Sequence, residues 1–154
     1  MDTPTGNESV EPGHRTRAPW AWATAAWTLP YVVSKVVYAL SGRLGVTGGP
    51  EVEAASYADY GPGEVAAAQW ANAGVGVAVL ALFVLCALPF AARLPRWPLA
   101  VPVGLFTVVA VAGAVGMTGR AVFTDSGGAL FGGYCAVWAV LAAVVLRRLL
   151  RRGS

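Results

Sequence analysis

Four long apolar stretches make up most of the chain, and polar residues lie mainly at its ends and between the stretches. The stretches cover about 19–40, 64–88, 97–118 and 128–146. A helix needs about 20 residues to cross a hydrocarbon core about 30 Å thick, and each stretch is long enough. The pattern therefore predicts an all-α, polytopic membrane protein whose domain, residues 18–148, is a bundle of four transmembrane helices.

The segments outside these stretches have the composition of tails and loops. Residues 1–17 are polar and show no apolar period, which predicts a disordered tail. Residues 149–154 form a short basic tail, and residues 41–63 are rich in turn formers and predict a solvated loop. The first stretch also has features of a signal peptide, but its length and the internal Pro30 and Lys35 favour a retained span.

The composition agrees with a membrane protein. Hydrophobic residues make up 56% of the chain and charged residues only 12%, whereas soluble domains are about a quarter charged. The formal net charge of +3 does not point to nucleic acid, because the arginines lie at the ends of apolar stretches rather than along one polar face. The lipid bilayer is the partner that the composition predicts.

The arginines also predict the orientation. Basic residues concentrate in the cytoplasmic segments of membrane proteins, and eight of the ten arginines lie before the first stretch, between the second and third, or after the fourth. These eight are Arg15, Arg17, Arg93, Arg96, Arg147, Arg148, Arg151 and Arg152. We therefore expect a multi-pass plasma-membrane protein with both termini in the cytoplasm and the loop 41–63 outside.

Residues that would support catalysis or cofactor binding are missing from the apolar stretches. The single histidine, His14, lies in the N-terminal tail, so the predicted spans offer no histidine ligand to a haem. Cys86 and Cys135 lie in different stretches, about 20 Å apart in predicted depth, which is too far for a disulfide. The first stretch also lacks the acidic residue that small multidrug exporters carry there. The sequence predicts no catalysis, no cofactor and no metal site.

Small residues at a spacing of four predict close contacts between helices, since membrane helices approach most closely where side chains are small. The predicted contact positions are Gly76 in the second helix, Ala112 and Gly116 in the third, and Gly128 with Gly132 and Ala129 with Gly133 in the fourth. The pattern is compatible with contacts inside one bundle and with contacts to a second copy or another membrane protein.

One lysine stands inside the first apolar stretch, although the other ten basic residues besides histidine are arginines. Counting the helical rise from the outer side places Lys35, Gln69 and Asn72 at similar depths. Tyr134 and Glu64 are further candidates for this layer. Two interpretations follow, and the sequence does not decide between them.

In the first interpretation, the flexible stem lets the lysine ammonium reach the outer headgroups, and the amides only bond between helices. In the second, Lys35 is the charged centre of an outer-leaflet polar pocket formed with Gln69, Asn72, Tyr134 and Glu64. Lysine would matter there because it can lose its proton when desolvated, whereas arginine cannot.

The segments "AWTLPYVVSKVVYALSG", "ARLPRWPLAVPVG" and "LRRLLRR" resemble those of small four-helix membrane proteins of unknown function from actinomycetes. The resemblance implies a location and an architecture, and it supplies no catalytic residues. The expected role is a structural or interaction component without catalysis. The alternative is a small transporter or ion-coupled subunit that uses the polar pocket around Lys35.

Overall fold

The computed structural model describes residues 19–124 and 126–151. The predicted N-terminal tail 1–17, with Arg15 and Arg17, and the end of the C-terminal tail, with Arg152, lie outside the described residues. Within the described part the chain is helical, so the prediction of an all-α fold is confirmed. The four α-helices are α1 (Pro19–Leu40), α2 (Glu64–Ala87), α3 (Trp97–Phe123) and α4 (Ala129–Arg151). Two short 3-10 helices, Ala54–Tyr57 and Pro89–Arg93, lie in the connections.

Three of the helices, α2, α3 and α4, are long and apolar enough to cross a membrane. Helix α1 has a comparable length of 22 residues. It is less apolar because it carries Lys35 and several hydroxyl-bearing side chains, some of which are buried against the other helices. Length and composition therefore support a membrane protein with three candidate spans.

The helices form two antiparallel hairpins. Helix α1 packs along α2 and α3 packs along α4, while α1 and α4 make a smaller contact and α2 and α3 touch only slightly. We call the end that holds residues 41–63 the loop end, and the opposite end, which holds residues 88–96, the tail end. The main apolar core lies towards the tail end and includes Phe83, Val103 and Ala142, all fully buried.

The loop 41–63 crosses from one hairpin to the other at the loop end. Pro50 forms an isolated β-bridge with Gly127, and the amide of Glu51 donates to the Ser126 carbonyl at 2.9 Å. The amide of Phe131 donates to the Gly48 carbonyl at 3.0 Å. The loop is therefore attached to the turn between α3 and α4.

Helices α3 and α4 differ most from their predicted boundaries. Helix α3 continues beyond Thr118 to Phe123, and α4 begins at Ala129 and continues to Arg151. Gly128, predicted inside the fourth helix, lies before it with φ of 101°, a conformation that favours glycine. A Cβ atom there would lie 3.1 Å from Cδ of Pro50, so Gly128 accommodates the loop rather than another helix.

The small residues divide into contact positions and exposed positions. A Cβ atom on Gly76 would lie 2.9 Å from Val32 of α1, and Gly132 is similarly close to Thr118 of α3. By contrast, Gly116 and Gly133 have open space at the Cβ position, and Ala112, Ala129, Gly116 and Gly133 are exposed. Gly113, one position after Ala112, is the α3 glycine that faces α4, with Cys135 Sγ 3.3 Å from its Cβ position.

Candidate functional site

The ammonium group of Lys35 lies at the loop end between α1, α2 and the loop. Its Nζ atom donates to the Gly45 carbonyl at 2.8 Å and to Oε1 of Gln69 at 3.1 Å. The same ammonium lies 5.7 Å from the centre of the Tyr31 ring, within the range of a cation–π contact. The lysine thus links its own helix to α2 and to the loop.

Gln69 is the second centre of this arrangement, and only 2% of its surface is exposed. Its Nε2 atom donates to the carbonyls of Arg43 and Gly45 at 3.0 and 3.1 Å, while its Oε1 accepts from Lys35. A buried amide loses its hydrogen bonds to water, and these three bonds replace them. We call Lys35, Gln69 and the carbonyls of Arg43 and Gly45 the loop clamp.

A second pair of bonds holds the same loop segment to α1. The Ser34 hydroxyl accepts from the Thr47 amide at 2.8 Å and lies 2.9 Å from the Thr47 hydroxyl. Further along the loop, the Tyr57 hydroxyl accepts from the Leu44 amide at 3.1 Å. Side chains therefore fix the loop backbone at several points over the ends of α1 and α2.

Of the five residues predicted for the polar pocket, the structure brings Lys35 and Gln69 together. Asn72 is exposed on α2. Glu64 is exposed at the start of α2, where its Oε2 accepts from the Gly61 amide at 2.7 Å. Tyr134 bonds to Trp27, about 12 Å of helical rise from Lys35. The structure does not bring these three side chains to the ammonium.

Tyr134 and Trp27 instead form the contact between α1 and α4. The Tyr134 hydroxyl donates to the Trp27 carbonyl, and the Trp27 indole donates to the Tyr134 carbonyl at 3.2 Å. Their rings stack with centres 5.2 Å apart. The two residues satisfy each other's polar groups, as apolar surroundings require.

An apolar cavity of about 590 Å³ lies between α2 and α3, where the two hairpins diverge. We call it the α2–α3 cleft. Its rim includes Val75 of α2 and Leu105 and Val109 of α3, which are largely exposed. Its floor is formed by Tyr31 of α1 together with Phe131, Cys135 and Trp138 of α4.

Two polar atoms on the floor residues have no hydrogen-bond partner within the described part of the chain. The Trp138 indole Nε1 is enclosed and has no acceptor. The Tyr31 hydroxyl also makes no hydrogen bond to a described residue. The two rings lie side by side, with centres 5.5 Å apart. The indole nitrogen is closed off from the cleft, whereas Tyr31 is only partly buried and lines it, so the Tyr31 hydroxyl is the donor that a molecule in the cleft could reach.

The cleft could not be predicted from the sequence. Its lining residues come from all four helices and share no spacing along the chain, and they are aliphatic and aromatic side chains that any membrane helix carries. The position of Tyr31 in an apolar stretch is the one sequence feature that could indicate a binding site. A tyrosine there is equally typical of a residue at the membrane–water interface.

The cysteines lie in separate places, and no disulfide joins them. Cys86 belongs to the core at the tail end, while Cys135 lines the α2–α3 cleft. Among residues 19–124 and 126–151, no three His, Cys, Asp or Glu side chains are grouped as metal ligands would be.

Comparison with protein-family models, with curated proteins and with solved structures finds no match for this chain. The resemblance to small actinomycete membrane proteins therefore stays a prediction. The candidate site rests on the geometry of the loop clamp and of the α2–α3 cleft.

Proposed function

We propose that this chain is an interaction component of the plasma membrane, without catalysis of its own, that takes up an apolar molecule from the bilayer in the α2–α3 cleft. The observation that supports the proposal is the cleft itself, which is apolar, open between two helices and of a size typical of ligand sites, about 300–1,000 Å³. The cleft exists because the two hairpins diverge between α2 and α3.

The short extent of the cleft favours a small molecule over another transmembrane helix as its occupant. Between Pro102 and Gly113 the cleft extends roughly 17 Å along α3. A transmembrane helix is about 30 Å long, so the cleft would cover only about half of it. A lipid-soluble molecule fits this space and reaches it from the bilayer.

We further propose that α1 is a fourth span and that both termini are cytoplasmic. Helix α1 has the length needed to cross the hydrocarbon core, and it packs along α2. Its hydroxyl groups bond internally, since Thr28 donates to the Thr24 carbonyl at 2.8 Å and Thr24 to the Trp20 carbonyl at 2.7 Å. Its outward side chains, such as Leu29 and Val33, are apolar and suit contact with lipid.

Reporter fusions test this topology. A reporter placed before Met1, in the segment 93–96 or after Ser154 is expected to read cytoplasmic, and one inserted near Gly49 is expected to read external, because arginine-rich segments stay inside. A three-span protein would place the N-terminus and the C-terminus on opposite sides. An external reading at the C-terminus would contradict the proposed orientation.

Transport through the region of Lys35 has less support. A transported ion or substrate needs free polar groups along a path, whereas the Lys35 ammonium and the Gln69 amide already bond to loop carbonyls. The described bonds of these two side chains hold the loop in place. We therefore give the α2–α3 cleft, rather than the loop clamp, the binding role.

Filling the cleft tests the proposed function. Val109 lines the cleft and is 58% exposed, whereas its neighbour Val108 is 66% exposed and does not line it. In lipid nanodiscs, a phenyl-diazirine photolabel is expected to react with α2 and α3. Excess alkylnaphthalene is the competitor, and it is expected to suppress this labelling by occupying the cleft. Val109→Trp is expected to reduce this suppressible labelling at least about fivefold by filling the space, and Val108→Trp is expected to leave it unchanged. Peptide mass spectrometry measures the labelled positions.

If labelling of the wild type is not suppressed by alkylnaphthalene, the cleft holds no discrete apolar ligand and the proposal is wrong. Equal losses in the two tryptophan variants would show that the substitutions disturb the helix generally. That result would also count against the cleft as the labelled site.

A further inference from the structure

We infer that the ligand of the α2–α3 cleft is a flat ring compound that carries a carbonyl oxygen, the chemistry of a quinone, and that the Tyr31 hydroxyl donates a hydrogen bond to that oxygen. The inference rests on the proposed function, because it names the kind of molecule that the cleft takes up. Three features support it: the aromatic floor, the unbonded Tyr31 hydroxyl and the depth of the site.

The floor of the cleft is aromatic. The Trp138 ring lies 5.5 Å from the Tyr31 ring and 4.7 Å from the Phe106 ring, measured between centres. The Phe131 ring lies 6.4 Å from that of Tyr31. Rings in such clusters interact well with a further ring in an offset or edge-to-face arrangement. This surface favours a flat ring over a flexible acyl chain.

The Tyr31 hydroxyl favours an acceptor in the cleft. A hydrocarbon there would leave this hydroxyl without a partner, and an unbonded donor in apolar surroundings is unfavourable. A carbonyl oxygen beside the Tyr31 ring would accept its hydrogen bond. The Trp138 indole nitrogen is enclosed by the protein, so it contributes its ring surface and not a hydrogen bond to a ligand.

The depth of the site separates this ligand from ordinary bilayer lipids. Tyr31 lies about 18 Å of helical rise from the start of α1, and Trp138 lies about 20 Å from the end of α4. Both measurements start from the tail end, so both residues lie near the middle of a core about 30 Å thick. The ester carbonyls of phospholipids stay near the headgroups, about 15 Å from the middle. A lipid-soluble ring carbonyl is free to reach this depth.

The test compares two ligands that differ only in their carbonyl groups. A naphthoquinone whose free ring positions carry methyl and octyl groups, so that thiols cannot add to it, competes with the photolabel described above. Its partner is the naphthalene with the same two groups. Competition by both is measured in nanodiscs with wild-type protein, Tyr31→Phe and Tyr38→Phe. Tyr38 lies two turns along the same helix and does not line the cleft, so it is the matched control.

We expect the wild type and Tyr38→Phe to prefer the naphthoquinone by roughly 2–10-fold, the effect of one net hydrogen bond. Tyr31→Phe is expected to bind both compounds equally. Equal competition by both compounds in the wild type would overturn the inference while leaving the proposed function standing. A preference that survives in Tyr31→Phe would overturn the assignment of the donor. Competition by neither ring compound would contradict the proposed function itself.

Discussion

Gly132→Val is expected to separate α3 from α4 and to lower the free energy of unfolding by about 1–3 kcal/mol or more, the range for overpacking a close contact. A Cβ atom at Gly132 would lie 2.5 Å from Oγ1 of Thr118 and 3.0 Å from its backbone nitrogen. The side-chain oxygen can rotate away, but the backbone nitrogen cannot move without shifting α3. Titration with sodium dodecyl sulfate in mixed micelles measures the change.

The neighbouring glycine provides the control. Gly133 is exposed, and no atom lies within 4 Å of its Cβ position. Gly133→Val is therefore expected to change the free energy of unfolding by no more than about 0.5 kcal/mol, as exposed substitutions usually do. If both variants unfold at the same detergent concentration as the wild type, α3 and α4 do not make the close contact described.

Gln69→Leu is expected to release the loop clamp and to lower the free energy of unfolding by about 2–3 kcal/mol. The leucine would leave the Arg43 carbonyl without its bond from Gln69 and would remove one of the two acceptors of the Lys35 ammonium. Bonds to a charged group contribute about 1.5–3 kcal/mol, and neutral bonds contribute less. Faster proteolysis within residues 41–63, followed by mass spectrometry, would report the released loop directly.

The order of effects among three variants makes this prediction specific. Asn72→Leu, one turn away and exposed, is expected to have almost no effect. Lys35→Met is expected to cost less than Gln69→Leu, because Gln69 still donates to the Arg43 and Gly45 carbonyls when the ammonium is gone, whereas Gln69→Leu leaves the Arg43 carbonyl unbonded. The double variant should cost less than the sum of the two single variants, since the residues share partners. A larger loss in Asn72→Leu than in Gln69→Leu would contradict the clamp.

The number and approximate extent of the helices could be predicted from the sequence because apolar length alone determines where a chain can cross a membrane. The rotation of each helix could not. Ala and Val occur all around α3, so no polar face indicates which side turns inward. The spacing of small residues therefore predicts contacts at Ala112 and Gly116, whereas Gly113 makes the contact in the structure. Helix α3 also continues to Phe123, because residues that are polar enough to end an apolar stretch still extend a helix.

The pairing of Lys35 with Gln69 follows from counting helical rise. The rest of the pocket could not be predicted in this way, because it depends on the rotation of α2 and on the height at which α4 begins. Asn72 lies about 60° around α2 from Gln69, whereas Gly76 lies only about 20° away, so Gly76 is buried and Asn72 is not. The predicted depth of Tyr134 requires α4 to begin at the same height as the end of α1. The contact of Phe131 with Tyr31 shows that α4 begins deeper. Nothing in the local sequence indicates that the loop occupies the space above it.

The attachment of the loop to both hairpins has a consequence for the order of assembly. Helices α1 and α2 find most of their contacts in each other, so they can pair as soon as both have been synthesised. The loop between them cannot complete its own contacts then, because the partners of Gly48 and Glu51 are Phe131 and Ser126, which are synthesised much later. The segment 48–51 therefore reaches its final position only after α4 has been synthesised. The bonds of this segment therefore form only when both hairpins are in place.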